Sequence, residues 1–330
     1  MKRTRVALLL SLPWALLVTL FTALPFPLQA VEATHGANTS AREVAVESYY
    51  SLWKGKYLIP SVRFPGEWKV DYNGKGATVS EAMGYGMLIT VFMADRDPQA
   101  KKYFDGLDAF RKQFPSSINP AFMCWKIPAN EKPGQTRPSD FMPTHFRAFG
   151  AATGDNIWEK VESRCYAVLG ELQEGYSPKT GLVPDFAVQK EGRWVPAQSG
   201  FLEGRTDGDY SYNACRVPWR IGWAALTLND GRARKFLKPL MGWMGAAIPA
   251  PEEVRSGYHL DGSPVRNSEE GVACFIAPTG VTARALGEKG WEDAVFSYGE
   301  KSCDEYYSDS VNLLCMILMS GKLNGKGLNL

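Results

Sequence analysis

An all-α fold in one domain is what this 330-residue sequence predicts, on three observations. Amphipathic stretches of helical length, about ten to eighteen residues each, recur along nearly the whole chain. The strand-like pieces are short and isolated, so no alternation of strand and helix can be assembled. No internal repeat and no linker-like change of composition divides the chain. A closed double ring of helices fits this count, with consecutive helices alternating between inner and outer rings and a groove among the long loops at one end.

The leader comes first. Lys2, Arg3 and Arg5 precede an uncharged run from Val6 to Ala30, the pattern of an export signal with cleavage after Ala30 or Ala33. Residues 1–33 are therefore read as the leader and 34–330 as a single domain, secreted or periplasmic. Uncut, the run would be long enough to span a bilayer; Pro13, Pro25 and Pro27 argue against a stable span. A net charge of +2 gives no pointer to nucleic acid or to an anionic membrane, and the exported body is read as a monomer. Six cysteines in an exported chain permit disulfides. Cys165, Cys215 and Cys315 nevertheless sit in apolar, helix-like runs and read as unpaired buried thiols. His35, His145 and His259 are far apart and no C-x-x-C occurs, so neither a metal nor a cofactor is expected.

Helical periodicity covers 41–57, and an irregular Pro- and Gly-rich stretch over 58–77 delivers the chain to a helix beginning near Thr78. Further helices are read at 100–114, 138–153, 157–174, 214–228, 233–247, 291–303 and 308–321, with strand-like pieces at 122–127 and 182–188.

Three stretches carry chemistry. Residues 78–90 read TVSEAMGYGMLIT, where Thr78 and Glu81 have the spacing of a capping box. That role leaves Gly84 and Gly86 unexplained, since each glycine inside a helix costs up to about 1 kcal/mol against alanine; something must approach that backbone closely. Glu81, Tyr85 and Leu88 share one helical face. Residues 138–145 read PSDFMPTH, in which Asp140 suits a helix entry. Residues 200–223 read GFLEGRTDGDYSYNACRVPWRIGW, the densest polar and aromatic region. Asp207 and Asp209 suit a turn. Arg216 and Arg220, at i and i+4, repel on one face unless acids or a polar groove meet them. Separate carboxylates near helix entries, with no Ser/His/Asp or Cys/His set, suit glycoside hydrolysis, which needs one carboxylic acid for the leaving oxygen and a second carboxylate for water or carbon. Ten tryptophans would suit stacking on sugar rings, although most belong in a core.

SEAMGYGMLI at 80–89 and YNACRVPWRIG at 212–222 resemble the two signature stretches of glycoside hydrolase family 8, and YYSDSVNLLC at 306–315 is similar to that family's closing helix. The resemblance implies an (α/α)6 barrel and an inverting, endo-acting hydrolase of β-1,4-linked glucan, chitosan or xylan, with a β-glucan first in order. Glu81 matches the general acid. The usual aspartate base is Asn213 here, and an amide cannot accept a proton at neutral pH. In the branch that carries asparagine the base is a glutamate on the preceding loop, which Glu203 matches. Asp140 matches the residue that holds the sugar at the cleavage point, although the TRPSD run at 136–140 departs from the common pattern. Tyr85, Trp125, Tyr212, Asn213, Arg216 and Trp219 are the expected substrate contacts, with Arg216 bonding Asp140 or a sugar hydroxyl; Arg216 and Trp219 read equally as ion pair and core. A rival from another class is a non-catalytic carbohydrate-binding or polysaccharide-assembly protein on the same barrel, prompted by Asn213 and the altered TRPSD run.

Overall fold

The structure, a computed structural model, describes residues 40–115 and 134–323. Ten α-helices lie among them: α1 (Ala41–Tyr57), α2 (Ser80–Phe92), α3 (Ala100–Lys112), α4 (Pro143–Thr153), α5 (Ile157–Tyr176), α6 (Val217–Thr227), α7 (Gly231–Ala247), α8 (Ala273–Leu286), α9 (Lys289–Gly299) and α10 (Tyr306–Met319). The even-numbered helices form an inner layer, packed in the order α4, α6, α8, α10, α2, and the odd-numbered ones lie outside them. Burial follows that division. Thirteen residues of α10 and twelve of α8 are buried, whereas α3 and α5 bury one stripe and leave charged residues in water, as an outer helix should.

α8 was not foreseen from the sequence. Enclosed on every side, it has no polar face to produce an amphipathic period, and Pro278 inside it reads as a breaker. Two expected helices are split. Residues 138–153 form a 3-10 turn, Pro138–Asp140, and then α4, which starts on Pro143; proline has no N–H to continue a preceding turn. Residues 214–228 likewise form a 3-10 turn, Ala214–Arg216, and then α6, with Pro218 in its first turn.

Strands are short and peripheral. β1 (Leu58–Pro60) pairs antiparallel with β2 (Trp68–Val70), while β3 (Gln135–Thr136), β4 (Ala187–Lys190) and β5 (Arg193–Pro196) form a second antiparallel sheet in that order. The strand expected at 182–188 begins only at Ala187; the one expected at 122–127 lies outside the described residues. The small hairpin explains a glycine of α2. A Cβ on Gly86 would lie 2.5 Å from Val70 Cγ2 and 3.4 Å from Leu107 Cδ1, so glycine there lets β2 and α3 close onto the inner helix.

The expected capping box at Thr78 and Glu81 is absent. The α2 N-cap is Val79, without a side-chain cap, and Thr78 Oγ1 is buried with no hydrogen-bond partner among the described residues. The motif occurs instead at Ser40 and Glu43, where both reciprocal bonds form at the start of α1. Five cysteines, Cys165, Cys215, Cys274, Cys303 and Cys315, are free thiols.

Candidate active site

Inner-helix N-termini converge at one end of the barrel. Glu81 is in the first turn of α2, Ser139 and Asp140 lie just before α4, and Asn213 to Arg216 lead into α6. From α8, Phe275 meets the Tyr212 ring edge-on at 5.0 Å; from α10, the Tyr307 hydroxyl donates to the Tyr212 carbonyl at 2.7 Å. Helix N-termini carry partial positive charge, so carboxylates gathered there are favourably placed.

Glu81 is no cap because Arg216 holds it. Arg216 Nη1 donates to Glu81 Oε2 at 2.8 Å, and Nη2 donates to Ser139 Oγ and to Asn213 Oδ1, each at 2.9 Å. Asn213 Nδ2 then donates to Glu203 Oε2 at 2.8 Å, and Arg137 Nη2 donates to Glu203 Oε1 at 3.0 Å. An unbroken run of side chains thus joins Glu81 to Glu203. The amide at 213 suits this position: it accepts from a guanidinium on one side and donates to a carboxylate on the other, which an aspartate could not do without a proton.

The two acids are anchored differently. Glu203 sits on a loop pinned by Asp207, a buried side chain whose carboxylate accepts the backbone N–H groups of Leu202 (2.6 Å), Glu203 (3.2 Å) and Gly204 (2.9 Å). The turn role expected for Asp207 is therefore filled. Asp209 closes the expected turn, its N–H donating to the Thr206 carbonyl at 2.9 Å, and its side chain pairs with His259 Nδ1 at 2.8 Å.

Below the acids lie the charges that hold them. Arg216 and Arg220 are 3% and 1% exposed. Burial works against the charge of Arg216, but surrounding groups, Glu81 and Asp140 among them, raise its pKa well above the ordinary arginine value. Arg220 is pulled down to about 10 by burial, with Arg216 beside it adding to the fall; it stays protonated at neutral pH. From the sequence, Arg216 was expected to bond Asp140 or a sugar hydroxyl. In the structure Arg220 forms the ion pair, at 3.7 Å from Asp140 Oδ1, and Arg216 donates to Glu81, because one helical turn separates the two guanidinium groups and each meets a different acid.

Asp185 is a site residue that sequence reasoning missed. Its Oδ1 accepts the N–H groups of Ser211 (3.1 Å), Asn213 (3.1 Å) and Ala214 (2.6 Å), shaping the turn that presents Asn213 and Arg216. Burial pushes its carboxyl up to about 7 against those donors. The signal was a lone acid inside the apolar run LVPDFAV, since a buried charge requires partners. Arg137 was also missed: it follows β3, and its guanidinium lies 4.9 Å from the Phe186 ring centroid.

The expected sugar contacts divide. Tyr212 is 45% exposed beside Asn213. Tyr85 and Trp219 are each 1% exposed, and Trp219 stacks on Trp223 at 6.2 Å. Both rings are core, since inner helices bury all their faces, and neither offers a stacking plane to solvent. Trp125 lies outside the described residues. Among the described residues no cluster of His, Cys, Asp and Glu could hold a metal ion.

Comparison with known proteins agrees with this architecture. The family model described as Glycosyl hydrolases family 8 matches residues 128–321, a span that contains Glu203 and Asn213 but not Glu81. The chain is 34% identical to a beta-glucanase of Niallia circulans, with 90% of each chain covered. It is 28% identical to an endoglucanase of Bacillus sp. (strain KSM-330), covering 90% of this chain and 81% of that one. Among solved structures, the apo β-1,3-1,4-glucanase of Paenibacillus sp. X4 superposes with a TM-score of 0.80 at 33% identity, covering 87% of this chain and 93% of that one. A reducing-end-xylose releasing exo-oligoxylanase, at 15% identity and a TM-score of 0.65 over 87% and 94% of the chains, shares the fold alone. With its two rings of helices in an (α/α)6 barrel, the chain belongs to glycoside hydrolase family 8.

Proposed function

We propose that this chain is an exported, inverting endo-β-glucanase in which Glu81 is the general acid and Glu203 the general base. The observation that carries the reading is the hydrogen-bonded run from Glu81 through Arg216 and Asn213 to Glu203, which gathers two carboxylates from distant parts of the chain on one solvent-facing surface. Glu81, in its acid form, gives a proton to the glycosidic oxygen. Glu203 takes one from a water that attacks the anomeric carbon on the opposite face, and the configuration inverts. With a sugar bound, the two carboxyl groups then stand roughly 6.5–9.5 Å apart, the room an intervening water needs. Asp140, 24% exposed at its side chain and held by Arg220, positions the sugar at the cleavage point, and Tyr212 offers its exposed ring beside it.

The β-glucan preference draws on the names of the relatives, a beta-glucanase and an endoglucanase, and on the β-1,3-1,4-glucanase structure. Export rests on the basic start and uncharged run of residues 1–33. Reducing-end release from mixed-linkage β-glucan, carboxymethylcellulose, xylan and chitosan tests the substrate class, with the two β-glucans expected to be cut fastest. Proton NMR of the first product tests the stereochemistry: retention of the starting anomer would refute the two-carboxylate inverting mechanism. Binding to β-glucan without new reducing ends would support the non-catalytic alternative.

A further inference from the structure

Three carboxylates face solvent at this end of the barrel, and each has its own arginine: Glu81 with Arg216 at 2.8 Å, Asp140 with Arg220 at 3.7 Å, and Glu203 with Arg137 at 3.0 Å. Within this set the formal charges cancel. Asp185 and Asp207 lie beneath, closed off from solvent and occupied by backbone N–H groups. The three arginines differ in access. The side chains of Arg216 and Arg220 are 3% and 1% exposed, whereas that of Arg137 is 24% exposed and stands beside Glu203 at 49%. Arg137 is also held in place: its guanidinium packs on the buried Phe186 ring at 4.9 Å.

The geometry of attack brings a sugar close to that cation. A water activated by Glu203 lies about 3 Å from its carboxylate and about 3 Å from the anomeric carbon it attacks. The 2-substituent is on the neighbouring carbon. Added to the 3.0 Å between Arg137 and Glu203, these steps put it within roughly 11 Å of Arg137, close to the Debye length of about 10 Å at 0.1 M salt. A hydroxyl at that position is neutral and can accept a hydrogen bond from a guanidinium. An ammonium is a like charge in a partly desolvated site.

We propose that Arg137 is a specificity-determining residue that admits neutral β-glycans at the cleavage point and turns away amino-sugar polymers carrying a 2-ammonium group. This rests on the β-glucanase reading above and selects among its possible polymers.

The test measures two quantities for wild type, Arg137→Gln and Arg137→Lys: the dissociation constant for a glucosamine tetramer by calorimetry, at a mildly acidic pH where its amines are charged, and the rate of reducing-end release from mixed-linkage β-glucan. Arg137→Gln should bind the tetramer about tenfold more tightly than wild type, and Arg137→Lys, which keeps the charge, should stay within about threefold of wild type. Equal binding by wild type and the glutamine variant overturns the proposal, as does a lysine variant that gains as much as glutamine. Wild type alone supplies a check if the glutamine variant does not fold: raising the salt concentration screens a repulsion, so tetramer binding should tighten, and weakening overturns the proposal. A wild type that releases no reducing ends from β-glucan defeats the β-glucanase reading and this inference with it. A wild type that cuts β-glucan while Arg137→Gln binds the tetramer no better defeats the inference alone.

Discussion

The two candidate catalytic acids stand on unlike supports. Glu81 is in the first turn of α2, a helix buried on nearly every side and clamped from outside by Val70 and Leu107 against Gly86. Glu203 is on a loop whose shape depends on one side chain, Asp207, and whose carboxylate is held at both oxygens by Arg137 and Asn213. A position on a packed helix is maintained by the whole core, whereas a position on a loop is maintained by a few named hydrogen bonds. Damage should therefore separate: near Glu81 it should appear as lost stability, near Glu203 as lost turnover.

The largest expected effects remove the acids themselves. Glu81→Gln should lower kcat by several orders of magnitude while helix content and melting stay close to wild type; a variant that keeps most of its activity ends the assignment. Glu203→Ala should abolish polysaccharide hydrolysis and recover part of it with azide as an external nucleophile, and rescue seen at Asp207 or Asp209 instead would move the base. Next comes the loop's anchor. Asp207→Ala should lower kcat by about 10- to 100-fold, the cost of a displaced catalytic group, with a smaller relative change in KM; a fall in Tm without a fall in kcat would break the comparison. On the helix side, Gly86→Ala should cost about 1–3 kcal/mol of unfolding free energy through overpacking against Val70, read by urea titration, with a smaller proportional loss of kcat than at Asp207.

The smallest effect at neutral pH is at a buried histidine of α4 and grows only with acid. His145 sits edge-on to Trp223 at 4.9 Å, and burial, with Arg220 adding its charge, lowers its pKa from 6.5 to about 3. Between those values the unfolded chain binds a proton that the folded one refuses, so this group removes stability as pH falls from 6.5 towards 3. His145→Phe should abolish that component. Its stability relative to wild type should rise by roughly 1 kcal/mol for each pH unit below 6.5, and parallel stability curves would show that the ring is charged in the fold.

The sequence was most readable where one face of an element meets water. α1 spans Ala41–Tyr57, the same bounds its periodicity indicates, and the outer helices were found to within a few residues. α8, enclosed all round, produced no period and was missed. Local motifs misled where tertiary partners competed: Thr78 and Glu81 have capping-box spacing, but Arg216, 135 residues further on, takes the Glu81 carboxylate. The need of Arg216 and Arg220 for acids was visible from their spacing. Which acid each would receive was not.

By itself the sequence determined that the chain is helical, that Glu81 is a chemical candidate and that Asn213 cannot serve as a base, because these follow from residue type, short-range spacing and motif; Glu203 was singled out through the resemblance to glycoside hydrolase family 8. Tertiary structure alone decided that Asn213 links Arg216 to Glu203, that Asp185 shapes the turn beneath them, that Arg137 stands beside the base, and that Trp219 is core. The hydrogen bonds behind those assignments span 3 to 66 residues of chain, and which of them form is settled only when the inner helices close and bring their N-termini together.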